Sequence, residues 1–144
     1  MLQFNYGNDI YNATRLYATQ TNTQRRNQLA EVADRWSPTN ASNKVPSYNG
    51  YVVNDVYSRF VEDGSFLRLK NITLGYTLPH KWTRSFHASK LRIYATGQNL
   101  FCLNNYSGYD PEVSTASKSP MTPGLDWGAY PKSRVFTFGV EVQF

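Results

Sequence analysis

The stretch that decides the fold is Lys132–Phe144, which reads K-S-R-V-F-T-F-G-V-E-V-Q-F. From Phe136 onward its even-numbered residues are all apolar, whereas its odd-numbered residues are mostly small or polar. The even set is Phe136, Phe138, Val140, Val142 and Phe144, and the odd set is Val135, Thr137, Gly139, Glu141 and Gln143. A period of two places successive side chains on opposite faces of a β-strand. The sequence therefore predicts a strand with one apolar face and one polar face.

Two classes of protein contain such a strand. A soluble β-sandwich shows the same alternation, but transmembrane barrels combine an apolar outer face with a polar inner face and aromatic girdles at both interfaces. Glu141 is the only acid of the strand and falls on its polar face, as a barrel requires, because a charge facing lipid is destabilising. The sequence also stops on the aromatic Phe144, with no polar tail. We interpret this stretch as the closing strand of a transmembrane barrel.

Composition narrows the choice of class. The chain has 144 residues, of which 15% are aromatic and 17% charged, and this balance fits a barrel wall with aromatic belts and polar loops. No apolar run is long enough for a membrane-spanning helix. The net charge is +5, but Arg25-Arg26 is the only adjacent basic pair, so we expect no nucleic-acid partner. The start at Met1 lacks the features of a signal peptide, and we expect this chain to be a piece of a longer protein.

Further strand and loop signals divide the chain. They predict a strand remnant at 1–7, a loop at 8–58 and strands at 59–79, 90–103 and 131–144. The apolar residues change parity near Lys70-Asn71, which indicates either a bulge or a passage from the loop region into the lipid zone. Barrels have short periplasmic turns and long extracellular loops, so the long segments at 8–54 and 104–130 are expected outside and 80–89 inside.

One short helix is predicted inside the first long loop. Leu29, Val32, Ala33 and Trp36 recur at the spacing of an amphipathic helix, and Pro38 ends the pattern. We predict a helix at about Thr23 to Arg35 that packs through Trp36.

The sequence contains no constellation that predicts catalysis. Asp110 and Glu112 flank Pro111, but a calcium site needs six to eight oxygen ligands, and a turn is the better interpretation. Glu62 and Asp63 precede Gly64 and are likewise interpreted as turn residues. His80 and His87 lack neighbouring metal ligands, and no nucleophile elbow is present. We expect no enzyme activity, no metal site and no cofactor.

Six motifs, in the order in which they occur along the chain, resemble those of a known family. They are G-N-D-I-Y-N (Gly7–Asn12), R-W-S-P (Arg35–Pro38), D-G-S-F-L-R-L-K-N-I-T-L-G-Y-T-L-P (Asp63–Pro79), L-R-I-Y-A-T-G-Q-N-L-F (Leu91–Phe101), N-Y-S-G-Y-D-P-E-V (Asn105–Val113) and Y-P-K-S-R-V-F-T-F-G-V (Tyr130–Val140). Together they cover nearly the whole chain. The chain resembles the C-terminal end of the SusC/RagA-type TonB-dependent transporters of Bacteroidota.

This resemblance implies an all-β fold: about four antiparallel strands of a large transmembrane barrel, with long extracellular loops and one short loop helix. The whole protein would be a Gram-negative outer-membrane importer of oligosaccharides or peptides. Its partners would be outer-membrane lipid, a SusD-like lipoprotein, and TonB through an N-terminal part, including the plug, that this chain lacks. About four strands cannot close a barrel, so the fragment alone is not expected to transport. A soluble β-sandwich that binds glycans remains the alternative.

Two sets of residues are candidates for binding. Aromatic side chains in the predicted external loops are candidates for contact with a glycan, a peptide or a partner protein, although the aromatic girdle and loop packing are the favoured explanation. This set is Trp36, Tyr106, Tyr109, Trp127 and Tyr130. The second set is the apolar face from Phe136 to Phe144, which by the resemblance is the signal read by the barrel-assembly machinery through strand addition.

Overall fold

The computed structural model describes residues 1–20, 27–48, 55–84, 87–113 and 123–144. The chain divides into two compact units. The sheet unit consists of Met1–Tyr6, Phe66–Asn104 and Pro131–Phe144, and the loop unit consists of Gly7–Ser65 and Asn105–Tyr130.

Strands dominate the described residues. In chain order they are β1 (Leu2–Asn5), β2 (Asp9–Asn12), β3 (Val61–Asp63), β4 (Phe66–Thr77), β5 (Lys90–Asn104), β6 (Leu125–Asp126) and β7 (Val135–Gln143). The helices are α1 (Ala13–Thr19) and the single turn α2 (His80–Thr83), together with 3-10 helices at Ala30–Asp34 and Ser58–Phe60. No helix in the described part of the chain has the length and hydropathy to cross a membrane.

The sheet unit is a four-stranded antiparallel sheet in the order β1-β4-β5-β7. Its register places apolar residues of three neighbouring strands side by side; for example, Ala95 of β5 is the partner of both Leu74 and Phe138. The resulting apolar face contains Ile72, Leu74, Tyr76, Leu91, Ile93, Ala95, Phe136, Phe138, Val140 and Val142. Most of these side chains are exposed, with Phe138 at 80%. The predicted antiparallel, alternating all-β fold is therefore confirmed.

The polar face of the same sheet carries the charge of β7. Glu141 is the register partner of Arg92, and its Oε1 accepts a hydrogen bond from Nζ of Lys90 at 3.3 Å. Thr73 and Thr96 lie on this face and their hydroxyl oxygens are 3.0 Å apart. The acid of the last strand thus lies opposite the apolar side chains, as the alternation predicts.

A bulge explains the change of parity in β4. The backbone N–H groups of Lys70 and Asn71 both donate to the carbonyl oxygen of Met1, at 3.0 and 3.3 Å. The pairing with β5 shifts between Leu69 and Asn71, and Asn99 of β5 has a φ of 51°. Lys70 and Asn71 of β4 thus together oppose the single residue Met1. The side chains that follow them therefore exchange faces relative to a regular strand. Of the two explanations for the parity change, the structure shows the bulge.

The loop unit has its own small sheet in the order β3-β2-β6. β2 pairs antiparallel with β3 and parallel with β6. The helix α1 follows β2 directly, and the side chain of Asn12 caps it by accepting the N–H of Arg15 at 2.8 Å. Phe60 is fully buried and packs with Leu16, which anchors α1.

The predicted loop helix requires a correction. The short helix of this loop is α1, whereas the segment predicted to be helical contains only a 3-10 helix at Ala30–Asp34, and residues 23–26 lie outside the described part. Leu29 and Arg35 have extended backbones on either side of it. Trp36 therefore lies beyond the helix and is half-exposed rather than packed. Of the apolar stripe, Val32 is buried and Leu29 is exposed.

The segment predicted as one strand at 59–79 contains two strands that belong to different sheets. β3 pairs with β2 in the loop unit, and β4 begins at Phe66 in the sheet unit. Gly64 lies between them, and its N–H donates to the carbonyl of Asn8 at 2.8 Å. A β-carbon on Gly64 would lie 2.7 Å from the side chain of Ile10, so this close approach requires glycine.

Candidate binding surface

An open cleft of about 580 Å³ lies within the loop unit. One wall comes from β2 and α1, a second from the segment Leu29–Glu31, and a third from the segment Ser107–Tyr109. Asp126 of β6 completes the lining. The parallel pairing of β2 with β6, in which Asn12 is the partner of Asp126, brings Asp126 to the first of these walls.

A cluster of charged side chains holds the cleft wall. Nε and Nη2 of Arg15 donate to the two carboxylate oxygens of Glu31 at 3.0 and 2.9 Å, which is a bidentate pair. Nη1 of Arg15 donates to Glu62 at 3.2 Å, and Arg59 donates to Glu31 at 3.2 Å. Two cations thus meet two anions, and the cluster is electrically balanced.

Glu62 connects the charged cluster to the segment after β5. Its carboxylate accepts the backbone N–H of Ser107 at 2.9 Å, the hydroxyl of Ser107 at 2.8 Å and the side-chain amide of Asn12 at 3.2 Å. Burial tends to raise the pKa of Glu62, but the hydrogen bonds from Ser107, Arg15 and Asn12 outweigh it and hold this pKa below the ordinary 4.5. The hydrogen bonds from Arg15 likewise lower the pKa of Glu31. Both carboxyls are therefore held in their charged form.

A second, buried polar network fixes β6. The hydroxyl of Tyr106 donates to Oδ2 of Asp126 at 2.5 Å, and Oδ1 of Asp126 accepts the N–H groups of Gly128 and Ala129, both at 3.1 Å. The N–H of Gly128 also donates to Thr14 at 2.7 Å. Burial and the hydrogen bond to Asp126 raise the pKa of Tyr106 well above its ordinary value.

A smaller groove of about 300 Å³ lies beside the larger cleft along α1. Tyr17 and Trp127 form its aromatic part, with ring centroids 5.0 Å apart in an edge-to-face arrangement. Thr14 and Ala18 line both this groove and the larger cleft. The two depressions are therefore neighbours on one surface of the loop unit.

The aromatic residues predicted to make contacts differ in position and in exposure. Tyr109 lines the larger cleft and Trp127 the smaller groove, and both are exposed. Trp36 and Tyr130 are exposed but line neither depression. Tyr106, by contrast, is only 6% exposed and lines neither depression. Its ring packs inside the unit because its hydroxyl finds a buried acceptor in Asp126.

The residues interpreted as turn residues also have different roles in the structure. Oδ1 of Asp110 accepts the N–H of Glu112 at 2.9 Å, and Asp63 accepts the N–H of Ser65 at 2.8 Å, so both aspartates form turns. Glu62 instead belongs to the charged cluster. Among the described residues, no group of three or more His, Cys, Asp or Glu side chains could hold a metal ion.

Comparison with known proteins shows to which family the sequence is related. No family model matches the chain. TonB-dependent receptor P3 of Formosa agariphila is 36% identical over 146 residues, which cover 99% of this chain. TonB-dependent receptor SusC of Bacteroides thetaiotaomicron is 40% identical over 86 residues, or 59% of this chain. The chain is homologous to TonB-dependent receptors.

The match covers only part of those receptors. The chain spans 14% of the Formosa receptor and 8% of SusC. Among solved structures, the RagAB peptide transporter matches 99% of this chain with a TM-score of 0.81 and 24% sequence identity, and the match covers 15% of that chain. The RagAB peptide importer in its closed-closed state gives the same TM-score of 0.81. The fold is that of a segment of a TonB-dependent receptor barrel, and these strands alone do not close one.

Several residues of this receptor segment were not identified from the sequence. Arg15 and Glu31 form the cleft wall, and Tyr17 forms the smaller groove with Trp127. The charged partners are 16 and 47 positions apart in sequence, so no local spacing connects them. The sequence contains one indication of helix α1, which is Asn12 three positions before Arg15, because asparagine is a preferred N-cap residue.

We predict that the loop unit loses stability in acid. Glu31 and Glu62 have lowered pKa values in the folded protein, so their contribution is complete above the unfolded value of 4.5 and is lost as the pH falls through the folded pKa. A Glu31→Gln/Glu62→Gln variant should therefore have a lower thermal midpoint than the parent at pH 7. The difference should shrink below pH 4.5.

The measurement is differential scanning fluorimetry from pH 7 to pH 3. Asp55→Asn is the control, because Asp55 is an exposed carboxylate outside the cluster. Equal midpoints for the parent and the double variant at pH 7 would contradict a stabilising role for the cluster.

Proposed function

We propose that this chain is part of the wall and the external loops of an outer-membrane importer energised by TonB. The observation that carries the proposal is the continuous apolar face formed by β4, β5 and β7 in register. Large exposed apolar patches mark contact with a protein or a membrane. In a barrel wall such a face meets lipid, while the polar side chains face the interior.

The charges of the sheet agree with this orientation. Lys90, Arg92 and Glu141 lie together on the face opposite the apolar one. A cation at the bilayer midplane costs about 2–4 kcal/mol when it faces lipid. On the interior face these groups remain paired and hydrated. A soluble sandwich that binds glycans leaves the exposed apolar face without an explanation.

The partners and cargo follow from the relatives. We propose an outer-membrane location, a SusD-like lipoprotein as partner and TonB as the source of energy, with the remaining parts supplied by the rest of the receptor. The cargo is an oligosaccharide or a peptide; the RagAB structures are those of a peptide importer. The loop unit would lie outside the membrane.

Within the loop unit we propose that Tyr109 and Trp127 contact the cargo or the partner, with Trp36 and Tyr130 as further contacts. Tyr109 and Trp127 combine solvent exposure with a position in a depression. The polar groups of the cleft wall are engaged with one another, so the aromatic rings offer the available surface. Edge-to-face and stacking contacts of aromatic rings contribute about 0.5–1.5 kcal/mol each beyond area burial.

We propose that β7 is read during barrel assembly. β7 is an edge strand of the described sheet, so one row of its backbone hydrogen-bonding groups faces away from β5. Such an edge can receive another strand by β-augmentation. The apolar side chains Phe136, Phe138, Val140 and Val142 point to one side of it, and Phe144 beyond its end is 87% exposed.

The first prediction tests the membrane orientation. In the full receptor, Phe138→Arg should lower the amount of heat-modifiable barrel in the outer membrane, because it places a cation toward lipid. Thr137→Arg, one residue away on the polar face, is the matched control and should leave the amount unchanged. Gels of boiled and unboiled outer-membrane fractions measure both. Equal losses for the two variants would contradict the assignment of faces.

A second prediction tests assembly. Phe144→Ser should lower the amount of assembled receptor, whereas Gln143→Ser, on the neighbouring position of the opposite face, should not. The amount of receptor is measured in the outer-membrane fraction by immunoblotting. Wild-type levels of the Phe144→Ser receptor would remove the recognition role of this residue.

A third prediction tests the loop surface. Tyr109→Ala and Trp127→Ala should each weaken cargo binding about fivefold, as expected for the loss of one aromatic contact of about 1 kcal/mol. The purified receptor is tested against a defined oligosaccharide array and a defined peptide library. Tyr48→Ala is the control, because Tyr48 is exposed but lines neither depression. Unchanged binding of every probe by both variants would contradict the role of this surface.

A further inference from the structure

Alternation alone does not fix the register between β5 and β7. A slip of one residue is excluded because it would move the apolar side chains to the polar face. A slip of two residues keeps every side chain on its own face. Phe138, the partner of Ala95, would then lie opposite Ile93, which is equally apolar. A further feature therefore selects the observed pairing.

The charged residues of the polar face do not make this selection. Glu141 is the partner of Arg92, but Nζ of Lys90 is already 3.3 Å from its carboxylate. A two-residue slip in one direction would place Glu141 directly opposite Lys90. Glu141 therefore has a cationic partner in the observed register and in this slipped one, so the two registers differ little in Coulomb energy.

Tyr94 does distinguish the registers. Its partner on β7 is Gly139, the only glycine of that strand, and the outer atoms of its ring occupy the space that a side chain at this position would need. A β-carbon at position 139 would lie only 2.6 Å from Cε1 of Tyr94. In the two slipped registers Tyr94 would face Thr137 or Glu141, whose side chains would occupy the volume of the ring.

The glycine of the neighbouring strand is covered by a different side chain. Gly75 of β4 is the other partner of Tyr94, and a β-carbon there would lie 3.0 Å from Nε of Arg92. The row Gly75–Tyr94–Gly139 therefore crosses three strands, with the ring of Tyr94 over Gly139 and the guanidinium of Arg92 over Gly75. Aromatic side chains that cover a cross-strand glycine are a known means of fixing register in β-sheets.

We propose that Tyr94, seated on Gly139, selects the register in which β7 pairs with β5. Tyr94 and Gly139 act together, because the ring of Tyr94 requires a partner without a side chain and Gly139 is the only position of β7 that supplies one. The inference concerns strand pairing and goes beyond the importer function. It holds whatever the cargo of the receptor is.

Cross-strand disulfides test this proposal in the full receptor in native membranes, with Cys102→Ser as the background. The native reporter is Ala95→Cys with Phe138→Cys, which are register partners. The slipped reporter is Ala95→Cys with Phe136→Cys. Oxidation with copper phenanthroline and mass spectrometry of linked peptides give the ratio of native to slipped pairing.

Moving the glycine should move the strand. Thr137→Gly with Gly139→Thr keeps the composition and offers Tyr94 its glycine two residues earlier, so the slipped link should become the major product. Adding Tyr94→Ala to this swap should remove the preference for the slipped register, so that the slipped link is no longer the major product. A swap that keeps the parental ratio would overturn the proposal, as would a slip that persists without the Tyr94 ring.

A second variant decides the matter if the swapped receptor does not assemble. Tyr94→Ala alone removes atoms without creating a clash. We expect it to lower the ratio of native to slipped links roughly tenfold, because the feature that excludes the slipped register is gone. A ratio equal to that of the parent would overturn the proposal.

Discussion

The pairing of β5 with β4 on one side and β7 on the other is the constraint on which the sheet unit depends. β5 is the longest strand, and both of its edges are hydrogen-bonded along most of its length. In a hydrocarbon environment an unpaired backbone amide costs several kcal/mol, so strands there must pair edge to edge. Once that pairing is fixed, the period of two assigns every side chain to one of the two faces of the sheet. The apolar face therefore follows from backbone pairing together with the alternating sequence.

The loop unit is organised by polar contacts rather than by alternation. Its apolar core is small, with Phe60 and Leu16 at its centre. Arg15 and Glu62 connect helix α1, strand β3 and the segment that begins at Asn105. Partly buried carboxylates are expensive to desolvate, and they are retained here because each accepts several charge-assisted or backbone hydrogen bonds. This arrangement leaves the exposed rings of Tyr109 and Trp127 as the accessible part of the surface.

The sequence predicts the sheet unit better than the loop unit for a physical reason. Long strands repeat their pattern, so the faces of β5 and β7 and the change of parity near Lys70 can be recognised from residue types alone, whereas the bulge itself is shown by the backbone pairing. β6 has only two residues and pairs with β2 across more than a hundred positions, which no periodicity reveals. The stripe from Leu29 to Trp36 matched a helix by spacing, but extended residues bound a single 3-10 segment. Tyr106 and Tyr109 are three positions apart, and only the structure shows that one is buried.

The most direct test of this account is the environment of each side chain along β7 in the native membrane. Single nitroxide labels at positions 135 to 143 of the full receptor report collision with oxygen, which concentrates in lipid, and with a water-soluble nickel chelate. The account predicts that oxygen accessibility peaks at positions 136, 138, 140 and 142 and falls between them. The nickel chelate should show no such peaks at those positions. Uniform nickel accessibility on both faces, or the absence of a period of two, would contradict the claim that β7 forms part of a membrane barrel wall.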